Sequence, residues 1–238
     1  MGSTDRANCV AIATSPLVAS LFLVDLSYRV CEPQRSSPSS KDRSRLACSS
    51  PRNPLGMCGR YTLHCSAATI ADRFGVPVPS RLPQRFNIAP SQRVLAIRQR
   101  ANGKRELVPL SWGLVPFWAD DPAIGNRLIT ARAETAATKP SFRRAFASRR
   151  CLIVADGFYE WQTDGRHKQP WYIQLASGQP FGFAGLWERW EKGGTPIQSC
   201  AVLTCPANSL MQPIHNLSLI HISEPTRRAC RSRMPSSA

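Results

Sequence analysis

Short apolar blocks separated by turn residues run through the middle of the chain. RVLAIRQ (93–99) and RELVPLSWG (105–113) read as strands, and the Asn102-Gly103 pair between them marks a tight turn. RLITARAE (127–134) predicts a further strand. CLIVADGFYEWQ (151–162) and QPWYIQLA (169–176) predict a hairpin joined through TDGRHK, and PFGFAGLWERW (180–190) and IQSCAVLTC (197–205) predict two more strands. Helical patterning is brief. SAATIADRFG (66–75) opens on an N-cap serine, carries an apolar face and closes on glycine. KPSFRRAFASRR (139–150) predicts a short basic helix, and ANSLMQPIHN (207–216) a short helix turning into a loop. There is no internal repeat. Strands dominate and hairpin turns recur, so the expected fold is α+β: a single domain of largely antiparallel β-sheet with short helices.

The pattern fails at both ends. CVAIATSPLVASLFLV (9–24) is apolar but interrupted by Pro16, and it has neither the basic lead nor the small-residue cleavage site of a signal peptide. Residues 32–54 are rich in Ser, Pro and Arg and cannot bury enough apolar surface to offset the entropy of ordering them. Residues 1–56 are therefore expected to be a disordered or spurious extension ahead of a start at Met57. Residues 217–238 have no coherent period and the texture of foreign or frame-shifted sequence. This leaves 57–216 as a domain expected to be incomplete at its C-terminal side. No run of about 18 apolar residues is present, so no helical membrane span is expected.

Charge narrows the partner. The chain carries +16, and residues 57–216 hold 20 Lys and Arg against 10 Asp and Glu, so most of the excess belongs to the domain. That favours a polyanion, most simply nucleic acid, over a merely basic soluble protein. The nine cysteines include no CxxC and no zinc-finger spacing, so neither a metal nor another cofactor is expected. Their odd count and scatter argue against a disulfide framework and for a reducing compartment, hence a cytoplasmic location.

Three stretches carry chemistry. If Met57 is the start, its removal leaves Cys58 N-terminal, with a free α-amine and a thiol on adjacent carbons. An aldehyde meeting that pair forms an imine with the amine, and the thiol then adds to the imine carbon to close a five-membered thiazolidine. The α-amine, with a reference pKa of about 7.7–8.0, is far more often neutral at pH 7 than a lysine. In ADGFYEW (155–161), Phe158 and Glu160 share one strand face and Tyr159 and Trp161 the other, so Glu160 fits either an apolar pocket or a solvated edge. In QPIHN (212–216), His215 fits a proton shuttle or a surface loop. Arg60, Arg132, Arg143, Arg144, Arg149 and Arg150 can contact phosphates, and Trp112, Phe117, Trp118 and Trp161 can stack on bases or pack the core.

Taken in order, MCGRY (57–61), RFNIAPSQ (85–92), WGLVPFW (112–118), ARAET (131–135), KPSFRRAF (139–146), RRCLIVADGFYEW (149–161) and IHN (214–216) resemble the SRAP family, the SOS-response-associated peptidases viewed as abasic-site shields. The resemblance covers roughly residues 57–216. It implies a protein, expected to be a monomer, that binds single-stranded DNA containing abasic sites and bonds covalently to the lesion's aldehyde. Cys58 would be the crosslinking residue, with Glu160 and His215 as acid/base pair. Arg60, Asn87, Pro90, Ser91, Trp118, Arg132 and Trp161 would hold the strand, with Thr204 beside the site. Thr130 stands in the catalytic group where the family has Asn, keeping a hydroxyl but losing the amide's paired donor and acceptor. Two other readings stay open: a cysteine peptidase that removes the residues before Cys58, and a non-covalent single-strand binding module.

Overall fold

The computed structural model of the chain describes residues 28–31, 59–165, 167–209, 211–219 and 221–222. Their elements run β1 (Tyr28–Cys31), β2 (Arg60–Leu63), α1 (Ala67–Phe74), β3 (Arg85–Ile88), β4 (Arg93–Gln99), β5 (Arg105–Trp112), a 3-10 turn (Pro122–Arg127), β6 (Thr130–Arg132), α2 (Ala133–Ala136), α3 (Arg143–Ser148), β7 (Arg150–Ala155), β8 (Gly157–Asp164), β9 (His167–Leu175), β10 (Phe181–Trp190), β11 (Ile197–Pro206), β12 (Leu217–Leu219) and β13 (His221–Ile222). The architecture is the expected α+β one, dominated by antiparallel sheet. No helix among the described residues is long and apolar enough to cross a membrane.

Strands β5, β4, β7, β10 and β11 pair antiparallel in series. A parallel pairing of β11 with β5, through Ser199–Ser111 and Cys200–Trp112, joins the two ends and closes the series into a ring. Closure removes the edges that an open sheet would expose. Alternation along β10 and β11 sorts the side chains into two cores. Phe183, Cys200 and Val202 pack inward with Val94, Ala96, Leu110 and Ile153. Ala184, Leu186, Ala201 and Leu203 face outward and are covered by Ala136 of α2, by Phe142 at the N-cap of α3 and by Ala145 of α3. Helix α1 has the caps its sequence promises: Ser66 accepts from the Thr69 amide at 3.1 Å, and Gly75 takes the left-handed conformation at φ 62°. It buries Ile70 and Phe74 against the inner core.

A second sheet, in the order β1-β9-β8-β2-β3, packs on this ring through Phe158, whose ring meets Phe181 and Phe183 edge-on at 6.4 and 5.8 Å. The apolar run 151–162 looks like one strand but is two, one in each sheet. The break is at Asp156, which is 4% exposed. Its carboxylate accepts from the Thr62 hydroxyl at 2.6 Å and from the His64 and Cys65 amides at 2.5 and 2.8 Å. Gly157 follows at a place where a Cβ would fall 2.1 Å from the Tyr172 hydroxyl, so only glycine fits this corner.

Two other expectations change. Residues 127–134 are a strand only at Thr130–Arg132, flanked by the 3-10 turn and α2, because β6 pairs with β11 over just three residues. The described residues of 207–216 form turns and no helix, with the Met211 amide bonded to Asn208 O and the His215 amide to Met211 O. Strands also lie outside 57–216: β12 pairs with β11, β13 with β10 and β1 with β9.

Candidate active site

The site forms where β8, the start of β2 and the 207–216 turns meet. The β2–β8 register sets Arg60 opposite Tyr159 and Tyr61 opposite Phe158. Glu160 follows Tyr159 on β8, and Gly59 precedes Arg60 at the start of β2. Cys58 lies outside the described residues; Gly59, which follows it in sequence, is buried.

Glu160 is on the inner face with Phe158, as alternation predicts, and is 2% exposed. Its Oε1 has no hydrogen-bond partner. Burial raises its pKa from 4.5 to about 7, against the opposing pull of the charge on His215 and of the Trp161 backbone. His215 is held near it by the turn. Gln162, two residues beyond Glu160 on β8, donates from Nε2 to Pro213 O at 3.0 Å and accepts from Trp171 Nε1 at 3.0 Å. The Ala207 amide bonds Asn216 O at 3.1 Å and closes the base of the loop.

That loop leaves β11 just after Thr204, which ties in a second group. Thr204 is 1% exposed and its hydroxyl has no hydrogen-bond partner. It pairs with Arg132 of β6, and Thr130 pairs with Val202 two residues earlier. Arg132 is exposed and Thr130 half-buried. Glu160 and Thr204 each keep a buried oxygen without a hydrogen-bond partner, as do Tyr61 and Thr135 elsewhere among the described residues.

The β2–β3 edge adds Arg60, whose Nη1 donates to Asn87 Oδ1 at 2.9 Å. Pro90 and Ser91 follow β3. Ser91 has φ 68°, a conformation that a side chain disfavours, and its hydroxyl donates to Asn126 Oδ1 at 3.2 Å. Trp161 is half-buried on the opposite face of β8 from Glu160. Trp118 stands apart. Its carbonyl accepts from Lys192 Nζ at 2.8 Å near Trp190, at the Ile197 end of β11. Seven strand steps, about 23 Å, separate that end from Thr204. The Trp118 indole is 41% exposed and donates to Pro140 O at 3.4 Å.

Gln162 and Asp156 carry structural weight that the sequence reading did not assign them. The Asp156-Gly157 pair is a turn signal inside an apolar run and marks the corner; nothing in the local sequence distinguishes Gln162. Burial pushes the Cys65 and Cys151 thiols up to about 12 and the Cys200 thiol well above its usual range, so none of the three supplies a thiolate at neutral pH. Among the described residues no cluster of His, Cys, Asp and Glu is arranged to hold a metal.

Known proteins share both sequence and fold. Residues 57–230 match the sequence model of the SOS response associated peptidase (SRAP) family. Abasic site processing protein YoaM of Bacillus subtilis is 44% identical over 166 residues, 67% of this chain and 72% of its own length. Abasic site processing protein YedK of Escherichia coli is 32% identical over the same shares. Crystal structures of proteins from Bacteroides thetaiotaomicron and Bordetella bronchiseptica superpose with TM-scores of 0.63 and 0.61, each 25% identical, over 70% and 69% of this chain and 78% and 83% of theirs. A match across most of the folded region, relatives at this identity and a shared fold together place the chain in the SRAP family.

Proposed function

We propose that this protein captures abasic sites in single-stranded DNA by forming a thiazolidine between an N-terminal Cys58 and the aldehyde of the ring-opened deoxyribose. The observation that carries this reading is Glu160. It is a buried carboxyl with an unpartnered oxygen and a pKa near 7, next along β8 to Tyr159, which pairs with Arg60 at the start of β2, two residues after Cys58 in sequence. The names of the relatives, which describe abasic site processing, support the substrate.

The α-amine of Cys58 attacks the aldehyde carbon to give a carbinolamine. Glu160, protonated, donates a proton to the departing hydroxyl, which leaves as water, and the imine forms. The thiol then adds to the carbon of this protonated imine; its sulfur forms the C–S bond, the C=N electron pair moves onto the ring nitrogen, which already carries its hydrogen, and the thiol proton passes to the Glu160 carboxylate and restores the acid. The net change is the loss of one water. A carboxyl with a pKa near the working pH serves in both directions. His215 faces Glu160 and assists opening of the sugar ring, and its charge keeps the Glu160 pKa from climbing further. Arg60 and Arg132 contact phosphates, and Thr204 offers its orphaned hydroxyl to the lesion. The same nucleophile and histidine would serve removal of the residues before Cys58, the peptidase activity for which the family is named.

The test is single-turnover adduct formation on an abasic single-stranded oligonucleotide, with protein beginning at Met57 and trimmed to Cys58. Glu160→Gln should slow the adduct by about 10²–10⁴-fold while leaving affinity for undamaged single strands nearly unchanged. A variant rate within twofold of wild type across pH 5–9 would remove Glu160 from the chemistry.

A further inference from the structure

The five-stranded sheet ends at β3 with a bulge. Tyr61 pairs with Ile88 and Leu63 with Arg85, so Phe86 and Asn87 together face the single residue Thr62. The bulge turns both side chains to one side. Asn87 bonds Arg60 on β2 and Phe86 stacks on His64, the residue that follows β2. The Phe86 and His64 rings are nearly parallel, 26° apart, with centroids at 5.0 Å. Phe86 is 57% exposed and the His64 side chain 39%. Both rings are held from behind. His64 Nδ1 lies 3.1 Å from Asp156 Oδ1 and its amide donates to the same carboxylate, while the Phe86 carbonyl accepts from the Tyr159 hydroxyl at 3.2 Å. A large apolar ring on a sheet edge is a cost unless something covers it.

We propose that the Phe86–His64 stack is a platform for one unpaired nucleobase of the bound strand, a nucleotide flanking the lesion. The proposal rests on the single-stranded DNA reading above and adds a place for a neighbouring base. The occupant follows from the surroundings. The platform is one ring pair, too narrow for a protein partner's apolar face, and it is bordered by the Arg60–Asn87 pair and by Arg85, on a domain with a net charge of +10. A guanidinium on phosphate beside a flat, fixed ring is the arrangement that binds single strands with little regard to sequence, since every base has a π-face. The bulge and the Asp156 corner hold the ring in place before the strand arrives, so little ordering entropy remains to be lost on binding.

The test uses the full chain and a single-stranded oligonucleotide carrying a tetrahydrofuran abasic analogue, which has no aldehyde, with 2-aminopurine placed in turn at each flanking position. Wild type should quench 2-aminopurine at one flanking position. Phe86→Ala should abolish that quenching and weaken binding by about 5- to 150-fold. Phe86→Leu, which keeps apolar bulk at this exposed site, should lose the quenching too, whereas Phe86→Trp should keep it. If wild type binds the strand, and protein trimmed to Cys58 forms adducts on a true abasic site, yet Phe86→Ala and Phe86→Leu bind and quench as wild type does, the platform is wrong and the capture reading stands. If wild type binds no single-stranded DNA, both fall.

Discussion

Glu160→Gln should make the protein more stable at alkaline pH while making it slower, and the first effect can be sized from the structure. The carboxyl is 2% exposed and its pKa rises from 4.5 to about 7, mainly through burial. At about 1.4 kcal/mol per pKa unit, this is a preference of about 3 kcal/mol for the protonated form. The folded state therefore holds this proton more tightly than the unfolded chain does. Below about pH 4.5 the group is protonated in both states and costs nothing. As pH rises the unfolded chain releases the proton first, stability falls, and the cost levels off above pH 7. Gln cannot titrate, so whatever constant offset its amide introduces is independent of pH. The stability difference between variant and wild type should widen in the variant's favour by about 2–3 kcal/mol between pH 5 and pH 8. In melting temperature this is about 5–10 °C for a protein of this size. Urea unfolding of both proteins across that range measures it. A gap constant to within about 0.5 kcal/mol would mean that Glu160 is not a strained, proton-holding group, and its assignment as acid and base would lose its physical ground.

Other residues give independent checks. Asp156→Ala should cost about 3 kcal/mol or more by urea unfolding, because it strands the Thr62 hydroxyl and the amides of His64 and Cys65 at the corner between the sheets. Gln162→Ala should release the Pro213 carbonyl and let the His215 turn drift, slowing adduct formation by about 10-fold or more. With His215 further away, the Glu160 pKa should rise, moving the midpoint of the rate profile to higher pH, a change that a purely structural loss would not produce. Affinity for single strands should fall steeply as salt rises, with a slope that Arg132→Ala reduces by about one phosphate contact, measured by fluorescence anisotropy.

Much of the fold is legible in local chemistry. Ser66 and Gly75 bound α1 because caps act within a few residues, and the β4–β5 hairpin follows from its turn. That Glu160 shares a face with Phe158 follows from strand alternation, whereas its burial is decided by the sheet packing. The split at residue 156 is less legible, because apolar content continues through it and the break is made by Thr62, His64 and Cys65, more than ninety residues away in sequence. The turns at 207–216 escape a helical reading for a similar reason: Pro213 is held from β8 by Gln162. Strands β12 and β13 have weak patterns of their own, and their pairing depends on the edges that β11 and β10 present. The site shares this division. Glu160 and His215 announce themselves by residue type and neighbours, while the clamp that brings them together and the bulge that exposes Phe86 arise only from long-range pairing.

The central claim, that an N-terminal Cys58 closes a ring on an abasic aldehyde, is tested most directly by intact mass spectrometry of the product. Protein trimmed to Cys58 is incubated with an abasic single-stranded oligonucleotide, without borohydride, and heated in denaturant. The account predicts a stable adduct with the summed mass of protein and oligonucleotide less one water, absent when Cys58 is Ala and absent while residues 1–57 remain attached. An equally stable adduct from the Cys58→Ala protein, or from the untrimmed chain without loss of its leading residues, would contradict it.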